Sequence, residues 1–411
     1  MFLNKLKRIN SSHITTIFKG NFISKFVLVI GGLLLAKYYG SSEYGVFSIY
    51  LSITSIFGVL LSLAQEHLIV LEGNETDVNN NFSASSIICI GVMLVSFLLV
   101  FIPFNIPKHI LLLGIFSGYL FLFTNNAKFL LAKKKLFKHI SILTLIDSVV
   151  SFLFQVLFVF IKVEDGLVIG SLIGYAAAFI AAIYYSKKYF SAPDFNRYFE
   201  NAKKRPELFK YSYPSTLINA LGNNLMPILI SLYFASSLLG EYSLAVKIMS
   251  VPLLLISSSI ATVYYPKAAE INNSGANSSQ ELFAYTKKMS LLNFYIIFSF
   301  YVLINVVGIP ILQLFFNKNW EHLGLFIFLM SFGYLTRSLI NPIADILTIL
   351  KRNNVALLFN IYLFLANIAA IFIGKEQGIT YLVGIFSLFL FLGYGFLYFY
   401  IMLILKKNES N

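Results

Sequence analysis

Six charged side chains fall inside long apolar segments, where an ionised group is costly. They are the bases Lys25, Lys247 and Arg337 and the acids Glu66, Asp147 and Asp345. A charge at the centre of a bilayer costs at least about 2.5–3.5 kcal/mol on insertion scales. A charge in such a position has one of two roles. It contacts a charged substrate or coupling ion, or it forms an internal ion pair that fixes helix packing.

Arg337 is the strongest of these candidates. It lies 14 residues before Lys351, which corresponds to about 21 Å along a helix and places it near the membrane midplane. An arginine at that depth must face a wet cavity or a buried partner. Asp345 follows eight residues later and could line the same side of the helix, either as part of a site or as the partner of an ion pair.

Lys247 and Lys25 lie closer to helix ends. Lys247 shares a polar face with Ser243 and Ser250, and Asn21 lies one turn below Lys25. We predict that Lys247, Lys25 and Asn21 bind the substrate, with snorkelling of the lysines towards the interface as the alternative. For Asp147 and Glu66, which lie nearer the N-terminal side of the membrane, local pairing and ion coupling both remain open.

One further segment carries a polar stripe. Thr216, Asn219 and Asn223 recur at steps of three and four residues, so they share one helix face. Amides along a spanning helix suit a cavity lined for sugars, and Asn219 and Asn223 are predicted sugar ligands. Hydrogen bonds between helices are the equal alternative.

The composition is that of a membrane protein. Hydrophobic residues make up 58% of the 411 residues and charged residues 12%, with a mean hydropathy of +0.78, whereas soluble domains carry about 25% charge. The net charge of +13 sits mostly at helix ends on one side, which argues against a nucleic-acid partner. The five histidines and Cys89 show no metal-ligand spacing, and we expect no cofactor.

The apolar runs predict twelve transmembrane helices, since about 20 apolar residues span a bilayer. Of the 31 lysines and arginines, 23 lie at the ends on the side of the N-terminus, so both termini are predicted to be cytoplasmic. The predicted helices are 16–38, 44–66, 82–103, 109–132, 140–162, 166–188, 208–234, 239–266, 289–316, 322–349, 354–374 and 378–405.

The chain also repeats itself. Residues 38–48 read YYGSSEYGVFS and residues 233–243 read YFASSLLGEYS, each at the junction of the first two helices of a six-helix set. This repeat predicts two pseudo-symmetric lobes, a transporter plan in which substrate is handled at the repeat interface. The predicted division is an N-terminal lobe (1–190), a cytoplasmic linker (191–207) and a C-terminal lobe (208–411).

On these residues the chain resembles a known family. The segments GGLLLAKYYGSSEYGVFS, GEYSLAVKI, LFFNKNWEHLGLFI and INPIADILTILKRNN are similar to those of the Wzx-type O-antigen and capsule flippases, in the superfamily that includes the MATE exporters. The family's Gly-x-Tyr-x-x-Ala-x-Lys turn is matched by Gly240, Tyr242, Ala245 and Lys247, and its Lys/Glu-Trp element by Lys318 and Trp320. A mid-helix acidic-basic pair of many relatives is replaced here by Asn223-Asn224.

The resemblance implies a V-shaped pair of six-helix lobes with a cationic cavity. It implies alternating access that flips an undecaprenyl-diphosphate-linked oligosaccharide across a bacterial cytoplasmic (inner) membrane for lipopolysaccharide or capsule. Antiport of H⁺ or Na⁺ would drive it, and polysaccharide polymerase and chain-length proteins are the expected partners beside membrane lipids.

Three alternatives remain. A MATE-like cation or drug antiporter would place acids in the cavity, whereas the midplane charge here is basic. A polytopic glycan polymerase or ligase would be an enzyme with sizeable external loops, and the predicted outer loops are short. A lipid II flippase of the same superfamily usually has two further helices. The sequence therefore favours a transporter rather than an enzyme.

Overall fold

The computed structural model describes residues 2–63, 65–102, 106–273, 278–316 and 320–409, with side chains from residue 29 to 407 except those at 278 and 353. The described chain is helical and contains no strand. Its helices are α1 (Phe2–Leu60), α2 (Gln65–Leu71), α3 (Glu75–Ser96), α4 (Lys108–Lys133), α5 (Phe137–Ile161), α6 (Gly166–Ser186), α7 (Phe195–Lys203), α8 (Tyr213–Tyr233), α9 (Ser236–Met249), α10 (Ser258–Asn272), α11 (Ser278–Leu303), α12 (Ile309–Phe315), α13 (Leu323–Ala344), α14 (Ile346–Ile349), α15 (Asn353–Gly374) and α16 (Ile379–Glu409).

Ten helical stretches of the described chain are long and apolar enough to cross a membrane. Their outer faces are apolar too: Leu314 is 88%, Phe101 82% and Phe160 78% exposed. Apolar surface on this scale is unfavourable in water and natural in lipid. The protein is therefore a multi-pass, all-α membrane protein, which confirms the predicted class.

The number of twelve spans stays a prediction. All twelve predicted segments lie on helical backbone, but two are not among the ten stretches. Residues 16–28 belong to α1, and their side chains lie outside the described ones. Helix α8 is not among the ten stretches because its asparagines and prolines lower its mean hydropathy.

Two kinds of backbone irregularity shape the helices. Gly40 interrupts α1 with φ 84° and ψ 170°, a left-handed region that glycine alone adopts without strain, and so produces the predicted turn between the first two spans. Three π-helical turns each lie within two residues of a proline, because proline removes a backbone donor and the ring displaces the preceding turn. They are Leu208–Ser212, Leu253–Ser257 and Ile304–Gly308.

The chain forms two compact units: unit 1 comprises Met1–Tyr39 and Val46–Leu232, and unit 2 comprises Gly40–Gly45 and Tyr233–Asn411. In unit 1, α5 and α6 pack through small residues. A Cβ at Gly174 would lie 1.9 Å from Ser151 Oγ, and Gln155 Nε2 donates to Leu167 O at 2.9 Å. Close helix packing around small residues is typical of membrane bundles.

The boundary at residue 232 differs from the predicted linker at 191–207, which contains α7. Helix α8 is held in unit 1 because the Tyr213 hydroxyl donates to Leu60 O at 2.8 Å. Leu208 just before it packs with Leu68 and Tyr198 in one buried cluster. These contacts join α8 to the helices that precede it in the chain.

Unit 2 is built around α13, which packs against α9, α10, α11 and α16. Ser387 of α16 fixes one of these contacts: its hydroxyl donates to Leu329 O at 2.6 Å and accepts from Gly333 N at 3.1 Å. Position 333 must be small, because a Cβ there would lie 2.7 Å from Ser387 O. Residues on the next two turns of α13 are positioned by this contact.

Candidate functional site

The two repeated segments contact each other within unit 2. Gly45 and Gly240 occupy equivalent positions in the two copies, as do Ser41 and Ser236. A Cβ at Gly45 would lie 2.0 Å from Ser236 O, and one at Gly240 would lie 1.8 Å from Ser41 O. The contact is thus reciprocal, and both glycines are required for the backbones to approach so closely. Such symmetry supports the internal duplication.

The turn matched by the family motif combines packing with charge. Gly240 makes the close backbone contact, and Tyr242 and Ala245 are buried at 2% and 0% exposure. Lys247 is half-buried, with Nζ 5.8 Å from the ring centroid of Tyr44. An ammonium near an aromatic face is stabilised by the ring. The motif therefore fixes the start of α9 and places one cation on it.

The aromatic partner of Lys247 is itself fixed by packing. Tyr44 is 4% exposed and meets the ring of Trp320 edge-on, with centroids 6.0 Å apart. Trp320 also packs on Phe316 at 4.9 Å. The Trp of the second family element thus supports the ring that contacts Lys247. Lys318 of the same element lies outside the described residues.

Arg337 lies on α13 in the interior of unit 2 and is half-buried. Its guanidinium carbon is 5.5 Å from the ring centroid of Tyr334, whose hydroxyl also contacts the side chains of Arg337 and Ser250. Phenols stabilise a cation through their rings and oxygens. Three more, from α9, α11 and α16, interact electrostatically with the guanidinium: Tyr242, Tyr301 and Tyr394.

Buried hydrogen bonds hold the backbone immediately after the arginine. Ser338 O accepts from Ser257 Oγ at 2.6 Å and from Asn293 Nδ2 at 3.0 Å. The Tyr301 hydroxyl donates to Met249 O at 2.8 Å and lies 3.3 Å from Ser338 Oγ. Helices α9 and α11 and the π-helical turn before α10 thereby position α13, so the arginine is held in place by polar contacts rather than by apolar packing alone.

A second charged cluster lies inside unit 1. Asp147 of α5 and Lys128 of α4 are both half-buried and interact electrostatically without a direct ion pair of 4.0 Å or less between these two described groups. Tyr50 and Tyr175 lie close to the carboxylate, and the Tyr50 hydroxyl lies 2.6 Å from Ser117 Oγ. The arrangement places an acid and a base near each other with polar groups around them.

The polar stripe of α8 lies on the exposed surface of unit 1. Thr216, Asn219 and Asn223 are exposed. Asn223 Nδ2 donates to Asn219 O at 2.8 Å and to Asn219 Oδ1 at 3.0 Å. These contacts lie within the helix and orient the Asn223 amide. The stripe thus keeps polar groups at the surface of a helix in a membrane protein.

The two remaining acids have different surroundings. Glu66 on α2 is half-buried, close to Tyr198 and Tyr213, and its Oε2 has no hydrogen-bond partner among the described residues. Asp345 is exposed at the end of α13, about 12 Å along the axis from Arg337. The groups that interact with the Arg337 guanidinium are the phenols of Tyr334 on α13 and of three tyrosines on other helices, and Asp345 is not among them.

The structure adds groups that sequence reasoning missed. Lys128 was counted among the basic residues at a helix end, although α4 continues to Lys133 and Lys128 lies half-buried near Asp147, and no sequence pattern singled out the phenols around Arg337. Tyr334, one turn before the arginine, could have been found from helical spacing. Lys25 and Asn21 lie on α1, and their side chains are outside the described residues. The substrate and ion roles of the predicted residues remain predictions.

Comparison with known proteins places the chain in a family. Residues 7–324 match the family model described as "Polysaccharide biosynthesis protein". The lipopolysaccharide biosynthesis protein WzxC of Escherichia coli (strain K12) is 24% identical over 162 residues, which are 39% of this chain and 32% of that protein. The aligned region is therefore only about a third of this relative's length.

Solved structures share the fold at low sequence identity. The lipid II flippase MurJ in an inward closed conformation gives a TM-score of 0.76 at 16% identity, covering 96% of this chain and 90% of that one. An inward-facing multidrug resistance MATE family transporter of the MOP superfamily gives 0.66 at 13% identity, covering 93% and 96%. These matches confirm the predicted MATE-like fold. Since the family match extends over well more than half of its length, the chain belongs to the polysaccharide biosynthesis protein family.

Proposed function

We propose that the protein is a flippase for a lipid-linked oligosaccharide. Its substrate would be an undecaprenyl-diphosphate-linked repeat unit of O-antigen or capsule, moved by alternating access from the inner to the outer leaflet of a bacterial cytoplasmic membrane. The observation that carries the proposal is a half-buried guanidinium, Arg337, inside a membrane bundle of a chain from the polysaccharide biosynthesis family.

The residues present suit the physical requirements of flipping a lipid-linked sugar. The prenyl tail is already soluble in lipid, so only the diphosphate and the sugars need shelter from the hydrocarbon. Arginine binds phosphate bidentately, and Arg337 and Lys247 are both half-buried in unit 2. In unit 1, the exposed amides of Asn219 and Asn223 are suited to sugar hydroxyls. Lys25 and Asn21 are proposed as further ligands.

The cluster in unit 1 is proposed as the ion-coupling element. Asp147 lies near Lys128 without direct contact, so a proton or Na⁺ on the carboxylate would change its interaction with the ammonium. Glu66 and Asp345 are weaker candidates for the same role. Asp147→Asn is expected to remove the dependence of flipping on an imposed H⁺ or Na⁺ gradient. Glu164→Gln, at an exposed acid after α5, is the matched control and should keep it.

The proposal includes an orientation and partners. Lysines and arginines concentrate on the side of the N-terminus, which supports cytoplasmic termini, and a polymerase and chain-length proteins would receive the product. A cysteine introduced at the exposed loop residue Glu164 should then react with an impermeant thiol reagent from outside intact cells. Cys89 is buried and gives a low background.

The second candidate is a MATE-like cation or drug antiporter, which the structural likeness to a MATE family transporter favours. Proteoliposomes with labelled undecaprenyl-diphosphate sugar in one set and a cationic dye in another separate the two. A flippase exposes nearly all of the labelled sugar to external periodate, whereas without flipping about half stays protected. Dye movement without lipid flipping would reject the proposal and support the antiporter.

A further inference from the structure

An apolar groove runs between α15 and α16 of unit 2. It encloses about 1070 Å³, which is at the upper end of the range for small-molecule sites. Aromatic and aliphatic side chains form its walls, and two glycines of α16 line it as well. The lining includes Leu358, Phe359 and Tyr362 of α15 and Leu392, Gly395 and Phe396 of α16.

A hydrogen bond between the two helices lies at one end of the groove. The Tyr362 hydroxyl donates to Phe389 O at 2.7 Å and joins α15 to α16 there. Asn354 and Tyr400 line the opposite end, close to the first residue of α15. Phe389 and Tyr400 are 11 residues apart on α16, or about 16 Å. A single leaflet of hydrocarbon is about 15 Å deep, so the groove matches one leaflet.

Positive charge is concentrated beyond the end that Asn354 and Tyr400 line. Lys351 and Arg352 immediately precede α15, and Lys406 and Lys407 lie in the last turns of α16; all four are exposed. The acids adjacent to them in the sequence are Asp345, six residues before Lys351, and Glu409, two residues after Lys407. By the count of basic residues, this end faces the cytoplasm. The groove therefore lies in the inner leaflet with a basic mouth at the headgroup level.

We propose that this groove receives the prenyl chain of the lipid-linked substrate in the inner leaflet before flipping. The diphosphate binds at the four basic groups, and the first prenyl units lie along the apolar walls. A basic cluster at the cytoplasmic end of a spanning helix is the expected partner of a multiply charged lipid head. A diphosphate carries more negative charge than a single phosphodiester, which favours the substrate over bulk phospholipid. The inference rests on the proposed function and adds a tail-binding site to it.

A larger side chain at Gly395 would fill part of the groove. A Cβ at this position would meet no atom within 4 Å, so the backbone accepts a side chain there and Gly395→Leu is expected to occupy groove space. The neighbouring Gly393 is different, because a Cβ there would lie 2.2 Å from the Tyr362 ring. Gly91 on α3 is the matched control: it is exposed, and its Cβ would also meet no atom within 4 Å.

The test is photo-cross-linking in nanodiscs with a diazirine-tagged undecaprenyl diphosphate. Wild type and Gly91→Leu should be labelled within residues 354–400, and Gly395→Leu severalfold less. Lys351→Gln combined with Arg352→Gln should weaken binding of the probe about 30-fold, which corresponds to about 2 kcal/mol. Labelling outside the groove, equal labelling of Gly395→Leu, or equal competition by excess phosphatidylglycerol would overturn the proposal, as would cross-links between two copies through the groove.

Flipping is then measured on the same preparations, which separates the two proposals. If the wild type is labelled in the groove but flips no lipid-linked sugar, the tail site stands and the flippase proposal fails. If it flips the lipid but the groove stays unlabelled, the flippase stands and the tail site is wrong. If both hold, Gly395→Leu should flip more slowly than Gly91→Leu.

Discussion

The reciprocal glycine contact in unit 2 yields the most quantitative prediction. An alanine Cβ at position 240 would lie 1.8 Å from Ser41 O and one at position 45 would lie 2.0 Å from Ser236 O, whereas real Cβ contacts are essentially never below 3.0 Å. The two segments must therefore separate by about 1.2 Å for Gly240→Ala and by about 1.0 Å for Gly45→Ala. Overpacking of this kind costs typically about 1–3 kcal/mol.

The double variant carries the sharper test. One separation of the two segments relieves both clashes, so Gly45→Ala with Gly240→Ala should cost little more than the worse single change. The two effects should fall short of additivity by about 1 kcal/mol or more, as expected for contacting residues. If the two clashes were independent, the free-energy costs of the two single substitutions would add. The prediction thus distinguishes a shared contact from two unrelated ones.

The chain contains a reporter for this measurement. Trp320 is the single tryptophan, is 6% exposed and packs on Tyr44, one residue from Gly45. Its emission during heating in detergent should show a midpoint lowered by several degrees in each single variant. Gly384→Ala is the control, because its Cβ would meet only Leu329 Cδ2 at 4.0 Å. Single variants that melt like the wild type, or a fully additive double variant, would refute the reasoning.

Three further predictions follow from the charged and polar clusters. Lys128→Met removes the base near Asp147 and should lower the free energy of unfolding by about 1–3 kcal/mol. The double variant Lys128→Met/Asp147→Asn should recover part of that loss. A double variant less stable than Lys128→Met would contradict the interaction between the two groups. Tyr301→Phe removes the hydroxyl that donates to Met249 O at 2.8 Å and should lower the free energy of thermal unfolding by about 0.5–1.5 kcal/mol. The control Tyr38→Phe, at a residue that is 69% exposed, should leave it unchanged. Equal effects of the two variants would contradict a stabilising role for the Tyr301 hydroxyl. Asp147→Asn should remove gradient-dependent flipping, and a variant that still responds to the gradient would rule out this carboxylate.

The membrane class and the helix positions could be predicted because they depend on local apolar runs. A helix in lipid satisfies its own backbone hydrogen bonds, so length and apolarity determine it with little tertiary information. The repeat was visible for a similar reason, since Gly45 and Gly240 recur in one motif. That these two glycines touch each other is a tertiary fact, and no single-sequence pattern reports it.

In the candidate site too, local features could be predicted from the sequence and tertiary contacts could not. The place of Arg337 on a long apolar helix could be predicted from the sequence, but the phenols of Tyr242, Tyr301 and Tyr394 come from three other helices and have no common spacing in the chain. Lys128 was predicted within its helix but counted with the basic residues at the helix end, whereas it is half-buried. A count of charges along the sequence does not report which of them are buried.

The proposed function depends on Arg337 binding the diphosphate of a lipid-linked sugar during flipping. The most direct measurement is the initial flipping rate in proteoliposomes for wild type, Arg337→Lys and Arg337→Gln, with Trp320 emission confirming that each variant is folded. We expect Arg337→Gln to abolish flipping and Arg337→Lys to retain a small part of it, because lysine keeps the charge but loses bidentate geometry. A folded Arg337→Gln that flips at the wild-type rate would contradict the claim.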